Sequence, residues 1–451
     1  MRLITLPVVM HTETMSSSNK RLKETQIDRL SELPDSLIIH ILSLLEVKQS
    51  AITAVLTKRY RYLWRESPSL IFTETTQLPA RIRDFVAKVN RTLLFISGVN
   101  RNSFEAFEIQ FYYKNIYSSD VDVWFDFAVR NKVKRLTVLL LKSTRRNSYS
   151  LPQMMFHNSN LKRLSLRGCV LAPRKKIEWQ SLTKLTIGDV ELPEHVIGNI
   201  LSGCPVLHRL FIINCWGFDC LEVESKRVHK LYVLNQENKP NLQISAPYVR
   251  VLRVWLNSNG RKLSLGKTSS LVEATIVSSG YDNAKELLEK IWHVKKVRIG
   301  GGFNQILSSL AMQIGYRFPQ SAQKWLSVKA RTEKQSIHGI MGQLQSSPKL
   351  EVLVVEGLCL EEEQPIVFPI WKGELNCDLL HLKTITFRNF VDLNLEGDPM
   401  ITLARVLLNK APALEKMNIE GIGLSEPLNM KIAQALLSYP RSSVKAVIFL
   451  K

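Results

Sequence analysis

The chain has 451 residues, of which 45% are apolar and 22% charged, with 20 glycines and 18 prolines. This composition excludes collagen-like and low-complexity disordered proteins, and the length allows two or three domains with a sizeable buried core. No segment approaches the roughly 20 consecutive apolar residues of a membrane-spanning helix. The 61 Lys and Arg against 40 Asp and Glu give a net charge of +21, which indicates either acidic partners or only a basic solvated exterior.

The N-terminal residues 1–26 have no regular pattern, which predicts a disordered tail. Met15 begins a Met-Ser-Ser-Ser stretch that resembles an alternative translation start. The apolar run 3–10 is interrupted by Pro7, and no small-residue cleavage site follows it, so the run does not fit a signal peptide. The six cysteines form no CxxC pair, and we therefore expect reduced thiols and a location in the nucleus, the cytoplasm or both.

Residues 28–64 have the pattern of a small all-helical domain. Pro34 and Asp35 are typical of a helix start, because proline fits the first turn and the helix dipole favours a negative charge there. Apolar residues then recur at helical spacing in two groups. Two short amphipathic helices bury little surface on their own, so the domain is expected to need a neighbour or a partner. The two groups are Leu37, Ile38, Ile41, Leu42 and Leu45, and then Ile52, Val55, Leu56, Tyr60, Leu63 and Trp64.

From about residue 100 the chain repeats an apolar pattern at positions i, i+3 and i+5. Between Leu161 and Val294 the pattern recurs at steps of 21, 25, 21, 21, 22 and 23 residues, inside the range of leucine-rich repeats. Two repeats place a cysteine three residues after the last apolar position, which predicts that Cys169 and Cys215 belong to the core. The thirteen triads begin at Phe104, Val133, Leu161, Leu182, Leu207, Val228, Val249, Leu271, Val294, Leu350, Leu382, Leu414 and Val444.

This pattern predicts an α/β fold in which residues 100–300 form a solenoid of parallel strands with helices outside. Its concave strand face would be available to a partner, although positions i+1, i+2 and i+4, which would face that partner, show no common code. After the triad at Val294 the next begins only at Leu350, and the later steps are also longer than those before. We predict longer repeats with a helical insertion over 301–380, around Ile340, Met341 and Leu344, and a separate C-terminal module over 381–451.

The sequence offers no cluster of reactive residues. The nine histidines are dispersed, and HExxH, GxSxG, phosphate-loop and kinase motifs are missing. We therefore predict no catalytic residues, no metal site and no cofactor. The only basic stretch with interleaved aromatic residues is 58–65. Its rings, except that of Tyr62, share a helical face with apolar residues, so nucleic-acid binding is not expected.

The segment 28–64 closely resembles the F-box of plant F-box proteins and aligns to it without gaps. The chain departs from the family pattern at Glu46, where proline is usual, at Gln49, where an acidic residue is usual, and at Tyr60, where tryptophan is usual. We expect Glu46 and Gln49 to alter the interhelix turn and Tyr60 to reduce the affinity for the adaptor that F-boxes bind. The matching residues are Leu33, Pro34, Ile41, Leu42, Ser43, Lys48, Thr53, Val55, Leu56, Lys58, Arg59, Leu63 and Trp64.

The remaining chain is similar to the repeat region of the same family. The phrases 201–207 and 347–351 are typical of it, and residues 382–420 resemble the C-terminal FBD module of FBD-associated F-box proteins. On this resemblance the chain is identified as a plant F-box/leucine-rich-repeat protein of the FBD-associated F-box family. It implies a small all-α F-box at 27–72, the solenoid, and an FBD-like module at 381–451.

The resemblance implies a non-catalytic, substrate-recognition subunit of an SCF-type (cullin-RING) ubiquitin ligase. Its F-box would dock on a SKP-type adaptor and, through it, on cullin, and its repeats would hold an unknown target protein, with no membrane partner. A stand-alone repeat scaffold that binds protein or RNA and carries a degenerate F-box is the alternative. The residues expected to face the adaptor or to form the F-box core are Leu33, Pro34, Leu37, Ile38, Ile41, Leu42, Leu45, Val55, Leu56, Tyr60, Leu63 and Trp64.

Overall fold

The computed structural model describes residues 32–97, 103–141, 148–235, 241–256, 262–278, 284–301, 303–311, 318–331, 336–358, 378–390, 399–421 and 426–450. The tail predicted at 1–26 lies outside these residues. The described helices are α1 Asp35–Leu42, α2 Val47–Ile52, α3 Tyr60–Leu63, α4 Pro79–Ser97, α5 Ser118–Arg130, α6 Glu194–Gly203, α7 Ala284–Ile291, α8 Phe303–Ala311, α9 Ser336–Ser346, α10 Pro399–Lys410 and α11 Glu426–Ser438. None of them is both long and apolar enough to cross a bilayer.

Strands alternate with these helices from residue 69 onward. The described strands are β1 Ser69–Thr73, β2 Ala106–Tyr112, β3 Arg135–Leu141, β4 Tyr149–Ser150, β5 Arg163–Arg167, β6 Cys169–Val170, β7 Lys184–Gly188, β8 Arg209–Ile213, β9 Cys220–Glu222, β10 Lys230–Asn235, β11 Asn241–Ser245, β12 Val251–Leu256, β13 Lys262–Leu265, β14 Glu273–Ser278, β15 Lys296–Gly301, β16 Trp325–Arg331, β17 Val352–Leu358, β18 Thr384–Phe390, β19 Lys416–Gly421 and β20 Val447–Leu450.

Fifteen of the described strands form one parallel sheet in the order of the chain. This is the arrangement of a leucine-rich-repeat solenoid, in which the strands line the concave face. β4 pairs with β6, and β9, β11 and β13 form a small three-stranded sheet. Equivalent apolar positions pair directly, as Leu185 with Leu210 and Leu210 with Leu231. The predicted α/β class, with parallel strands, helices outside and a small helical N-terminal domain, is confirmed.

The core lies between the sheet and the outer helices. Along each strand the i+3 and i+5 side chains point inward and the intervening residues point to the concave face, because successive side chains alternate. Cys169 and Cys215 are buried in this core, as predicted. Each strand–loop–helix unit covers its apolar face only with its neighbours, so the units stabilise one another in sequence.

The apolar pattern missed two strands, β1 and β16, because their first inward position is polar. Ser67 and Gln323 occupy these positions and are buried. The cost of burying Gln323 is reduced by a hydrogen bond that its side-chain oxygen accepts from the Ser347 hydroxyl at 3.5 Å. The apparent long step from Val294 to Leu350 is therefore two repeats, divided at Gln323, because β16 pairs with β15 on one side and β17 on the other.

The last triad, at Val444, is wrong by one residue. In β20 it is Ile448 that pairs with the buried Met417, whereas Val447 and Phe449 point to the concave side and are exposed. Val444 is fully exposed. Because the side-chain period of a strand is two, a shift of one residue exchanges the two faces, and the four consecutive apolar residues of this strand fit both registers.

The segment predicted as a C-terminal module continues the same sheet. β17 pairs with β18, β18 with β19 and β19 with β20, all in parallel. Upstream, α9 contains Ile340, Met341 and Leu344, which are buried. The domain boundaries, and the assignment of 381–451 to an FBD-like module, stay predictions.

The helical N-terminal domain is packed onto the first strand of the sheet. Trp64 contacts both the small core of the helical domain and the main core of the solenoid. Its ring stacks on Phe95 of α4 at 6.1 Å between centroids, and the Arg65 guanidinium lies 4.1 Å from the Phe95 ring. Since β1 begins only five residues after Trp64, this contact fixes how the helical domain sits on the solenoid.

We predict that Trp64→Ala loosens the helical domain without unfolding the solenoid. Losing a half-buried ring shared by two cores should cost about 2 kcal/mol or more. Hydrogen exchange should accelerate in α1 to α3, and proteolysis should become faster in the segment 74–78, while amides of the main sheet keep their protection. Val55→Ala, at an exposed position, is the control. Equal protection in both variants would contradict this role of Trp64.

Candidate functional site

The helical domain has a small core of its own. Ile38 and Leu42 lie one turn apart on α1 and are buried against Tyr60 and Leu63 of α3. Arg59 ties the two helices together, since its Nε donates to Asp35 Oδ1 at 2.7 Å and its guanidinium donates to the backbone oxygen of Leu33 at 2.6 Å. These contacts hold the start of α3 against the start of α1.

The same domain exposes several large apolar side chains to solvent. Leu37 and Ile41 lie on the outer face of α1, and Val55 and Leu56 follow α2. Val55 is 81% exposed. Exposed apolar side chains concentrated in one small domain are typical of a protein-docking surface. We call the set Leu37, Ile41, Leu44, Ile52, Val55 and Leu56 the apolar face.

The structure divides the twelve predicted F-box residues into three groups. Their role in adaptor binding stays a prediction, but the division separates those that hold the helices together from those that face outward. Exposed are Pro34, Leu37, Ile41, Val55 and Leu56; buried are Ile38, Leu42, Tyr60 and Leu63; and intermediate are Leu33, Leu45 and Trp64.

Sequence reasoning missed two exposed residues of this domain, Leu44 and Ile52, whereas it had set Tyr62 apart from the buried face. Leu44, Ile52 and Tyr62 present 55% or more of their surface to solvent. Ile52 was expected to share a buried face with Tyr60 and Trp64. The chain changes from α2 to a 3-10 turn at Thr53, which rotates the following residues relative to a continuous helix.

Glu46 and Gln49, two departures from the F-box pattern, act together at the start of α2. Glu46 is the N-cap residue, and the Gln49 side chain accepts a hydrogen bond from the Glu46 backbone N–H at 3.4 Å. With the Glu46 side chain facing the Gln49 backbone N–H, this forms a capping box. The negative charge that the helix dipole favours is supplied by Glu46 instead of by residue 49.

Tyr60, the third departure, lies in the core of the helical domain. Only 3% of it is exposed, and it packs with Ile38, Leu42 and Leu63. Its backbone N–H is capped by the Thr57 hydroxyl at 3.2 Å. The residue therefore influences the packing of the helices and presents no ring to a partner. In the basic stretch 58–65, the Tyr60 ring is buried and the Trp64 ring half-buried, which agrees with packing and not with base stacking.

The concave face carries a signal that the sequence analysis missed. Position i+2 is basic in β3, β5, β7, β8 and β10, and these residues pair directly across the sheet. We call this set the basic row. In the sequence, each of these basic residues lies two positions after the first apolar residue of its repeat. Most of the other repeats carry other residue types at this position, so the thirteen repeats together show no common pattern. The basic row is Arg135, Arg163, Lys184, Arg209 and Lys230.

The cysteines within the described ranges are thiols and not disulfides. Burial raises the pKa of the Cys204 thiol to about 12, so Cys204 is protonated at neutral pH and is no nucleophile.

A cavity of about 530 Å³ beside α6 is lined by Cys220 and by carboxylates such as Glu222. Burial, followed by the charges of Glu222 and Glu194, raises the Cys220 pKa as well. In the parts of the chain that the structure describes, no group of three potential ligands could hold a metal ion.

Comparison with protein-family models agrees with this architecture. The F-box domain model matches residues 30–72, which contain α1 to α3 and all but the last residue of β1. The model described as At1g61320/AtMIF1, LRR domain, matches residues 97–427. It therefore covers the strands from β2 to β19 and most of the chain.

Similar proteins of Arabidopsis thaliana extend over both regions. F-box/LRR-repeat protein At3g03360 is 30% identical over 378 residues, which are 79% of this chain and 76% of that protein. F-box/LRR-repeat protein At5g02910 is 30% identical over 73% of this chain and 72% of its own length. Putative F-box/LRR-repeat protein At3g18150 is 28% identical over 88% of this chain and 87% of its own. With an F-box at one end and leucine-rich repeats along the rest, the chain belongs to the family of plant F-box/LRR-repeat proteins.

Proposed function

We propose that this protein is the substrate-recognition subunit of an SCF-type, cullin-RING ubiquitin ligase. The apolar face of the F-box docks on a SKP-type adaptor and, through it, on cullin. The concave face of the repeats holds a target protein. The proposal rests on the apolar face. Its side chains are exposed to solvent, although the F-box has a buried core of its own that is formed by other residues.

The burial pattern supports docking through this face. Ile38, Leu42, Tyr60 and Leu63 supply the core of the F-box, so the solvent-exposed surface of the apolar face is not used in its internal packing. Covering exposed apolar side chains with a partner removes them from water and stabilises the complex. A few such anchors usually supply most of the binding free energy of an interface.

The contact of Trp64 with both cores supports the proposal that the repeats present a target protein to the ligase. F-box and solenoid are joined through a shared core and a first strand that belongs to the sheet. A target on the concave face would therefore be held at a fixed position relative to the adaptor. The catalytic contribution of such a receptor is proximity, since the ubiquitin-carrying cysteine belongs to another protein. No nucleophile of this chain is needed.

The three departures from the F-box pattern are compatible with adaptor binding. Glu46 and Gln49 cap α2, and Tyr60 is buried, so none of them removes an apolar group from the exposed face. This favours a working F-box over the alternative of a stand-alone scaffold with a degenerate F-box. A nuclear or cytoplasmic location belongs to the same proposal and rests on the cysteine spacing of the sequence, which contains no CxxC pair.

We predict that Ile41→Asp and Val55→Asp each weaken the binding of a SKP-type adaptor to the full chain. A carboxylate in a desolvated apolar contact should weaken binding by about 2 kcal/mol or more, roughly 30-fold. Isothermal titration calorimetry with the purified adaptor measures the loss, and circular dichroism confirms that both variants fold.

The matched controls are Leu437→Asp on α11 and Val444→Asp before β20, which place the same charge at exposed apolar positions outside the F-box. They should bind the adaptor like the unmodified chain. If the unmodified chain fails to bind the adaptor, or if the control and F-box variants lose binding equally, the proposed role is wrong.

We further predict that Tyr60→Trp, which restores the residue usual in the family, leaves the adaptor affinity within about threefold of the original. The ring is buried in the F-box core, so the substitution should act mainly on the unfolding temperature. The same calorimetric titration tests this. A gain of tenfold or more in affinity would show that residue 60 faces the adaptor.

A further inference from the structure

The basic row is a continuous line of positive charge on the concave face. Arg135 pairs with Arg163, Arg163 with Lys184, Lys184 with Arg209 and Arg209 with Lys230 in the strand register. Strands of a sheet lie about 4.8 Å apart, so the row spans about 19 Å. Like charges directly opposite on neighbouring strands destabilise a sheet. The fold therefore tolerates an unfavourable arrangement along this line.

Most of this charge is not neutralised within the protein. Arg135 has a carboxylate nearby, since its Nε lies 3.7 Å from Glu105. Among the described residues, no ion pair joins the other four cations of the row to a carboxylate. The exposed edge beside the row adds further basic or protonatable groups, at Lys162, His208, His229 and Arg250.

Several other cations of the same concave face are paired. Glu273 of β14 binds Arg253 at 2.7 Å and also approaches Lys296 at 3.7 Å. Glu356 of β17 is almost buried and accepts both hydrogen bonds of the Arg298 guanidinium, at 2.6 and 2.7 Å. The described chain thus supplies carboxylates for Arg253, Lys296 and Arg298, and also for Arg167 of β5, which pairs with Asp189. It supplies none for the four basic-row cations of β5 to β10. This difference indicates that the partner of the basic row comes from outside the chain.

Two aromatic rings beside the row limit what that partner can be. Phe211 and Tyr232 stack face to face, with centroids 4.2 Å apart and planes 4° from parallel. Lys184 Nζ lies 4.7 Å from the Phe211 ring centre and Arg253 Cζ lies 5.4 Å from that of Tyr232. The four side chains form one stack of cation, ring, ring and cation. Nucleic-acid bases bind such surfaces by stacking on free aromatic faces, and this stack leaves neither ring a free face.

We propose that the basic row binds an extended, Asp- and Glu-rich segment of the target protein, lying across strands β5 to β10. An extended chain rises about 3.3 Å per residue, so about six residues span the row. Carboxylates of this segment would accept charge-assisted hydrogen bonds from Arg163, Lys184, Arg209 and Lys230. The inference rests on the proposed function, since it names the class of target that the receptor would recognise.

The test uses the full chain and a fluorescein-labelled ten-residue peptide of alternating Asp-Ser and Glu-Ser pairs. Fluorescence anisotropy should show binding that weakens as NaCl rises from about 50 to about 300 mM. The variant Arg163→Gln/Arg209→Gln/Lys230→Gln should bind the peptide at least about tenfold more weakly. The same peptide with Asn and Gln in place of Asp and Glu should not bind.

The matched control is Lys88→Gln/Arg91→Gln/Lys431→Gln, which removes the same charge from exposed positions on helices α4 and α11. It should bind the acidic peptide like the unmodified chain. Equal weakening in both triple variants would reveal non-specific attraction to a basic protein and overturn the proposal. Absence of peptide binding at the lowest salt concentration would also overturn it.

Two further probes test whether the basic row prefers another kind of anionic partner. A ten-nucleotide single-stranded RNA that displaces the acidic peptide and binds more tightly would contradict the proposal, as would a phosphoserine peptide that binds when the Asp and Glu peptide does not. Adaptor binding is measured separately on the same variants. Loss of peptide binding with intact adaptor capture tests the basic row alone, whereas failure of adaptor capture by the unmodified chain concerns the proposed ligase role.

Discussion

The structure depends on one constraint, the parallel and in-register pairing of the fifteen described strands of the main sheet. Each repeat buries its apolar residues only against its neighbours, so no repeat is stable alone and the stability of the array comes from contacts between successive units. Polar residues are tolerated at the inward positions of Ser67 and Gln323 because their neighbours supply the remaining burial. The F-box takes part in the same array, since β1 follows its helices directly and Trp64 is shared by both cores.

The same register produces the functional surfaces of the solenoid. Because side chains alternate along a strand, aligning the apolar i+3 and i+5 positions also aligns the i+2 positions on the opposite, concave side. Five cations that belong to five successive repeats thereby become direct neighbours. The F-box carries the opposite chemistry, with exposed apolar side chains at Ile41 and Val55. One continuous body thus offers an apolar face for one kind of partner and a basic face for another.

The repeat architecture was predictable from the sequence because the repeat length and the apolar periodicity are both properties of the chain. The strand at Val444 was misassigned because its four consecutive apolar residues fit two registers, and only pairing with β19 selects one. The exposure of Ile52, Val55 and Leu56 could not be predicted, since the 3-10 turn at Thr53 interrupts the helical periodicity that the sequence indicated. The basic row was encoded in the sequence, but its residues become neighbours only when the sheet aligns them.

A binding experiment with both partners present tests the central claim, that one protein holds the adaptor and an acidic target on separate faces. The full chain would be titrated with the labelled acidic peptide before and after saturation with the SKP-type adaptor. Sites without shared residues should act independently, so we predict a complex with one copy of each component and a peptide affinity unchanged within about twofold. Competition between the adaptor and the peptide would contradict the account, because it would place both partners on the same surface.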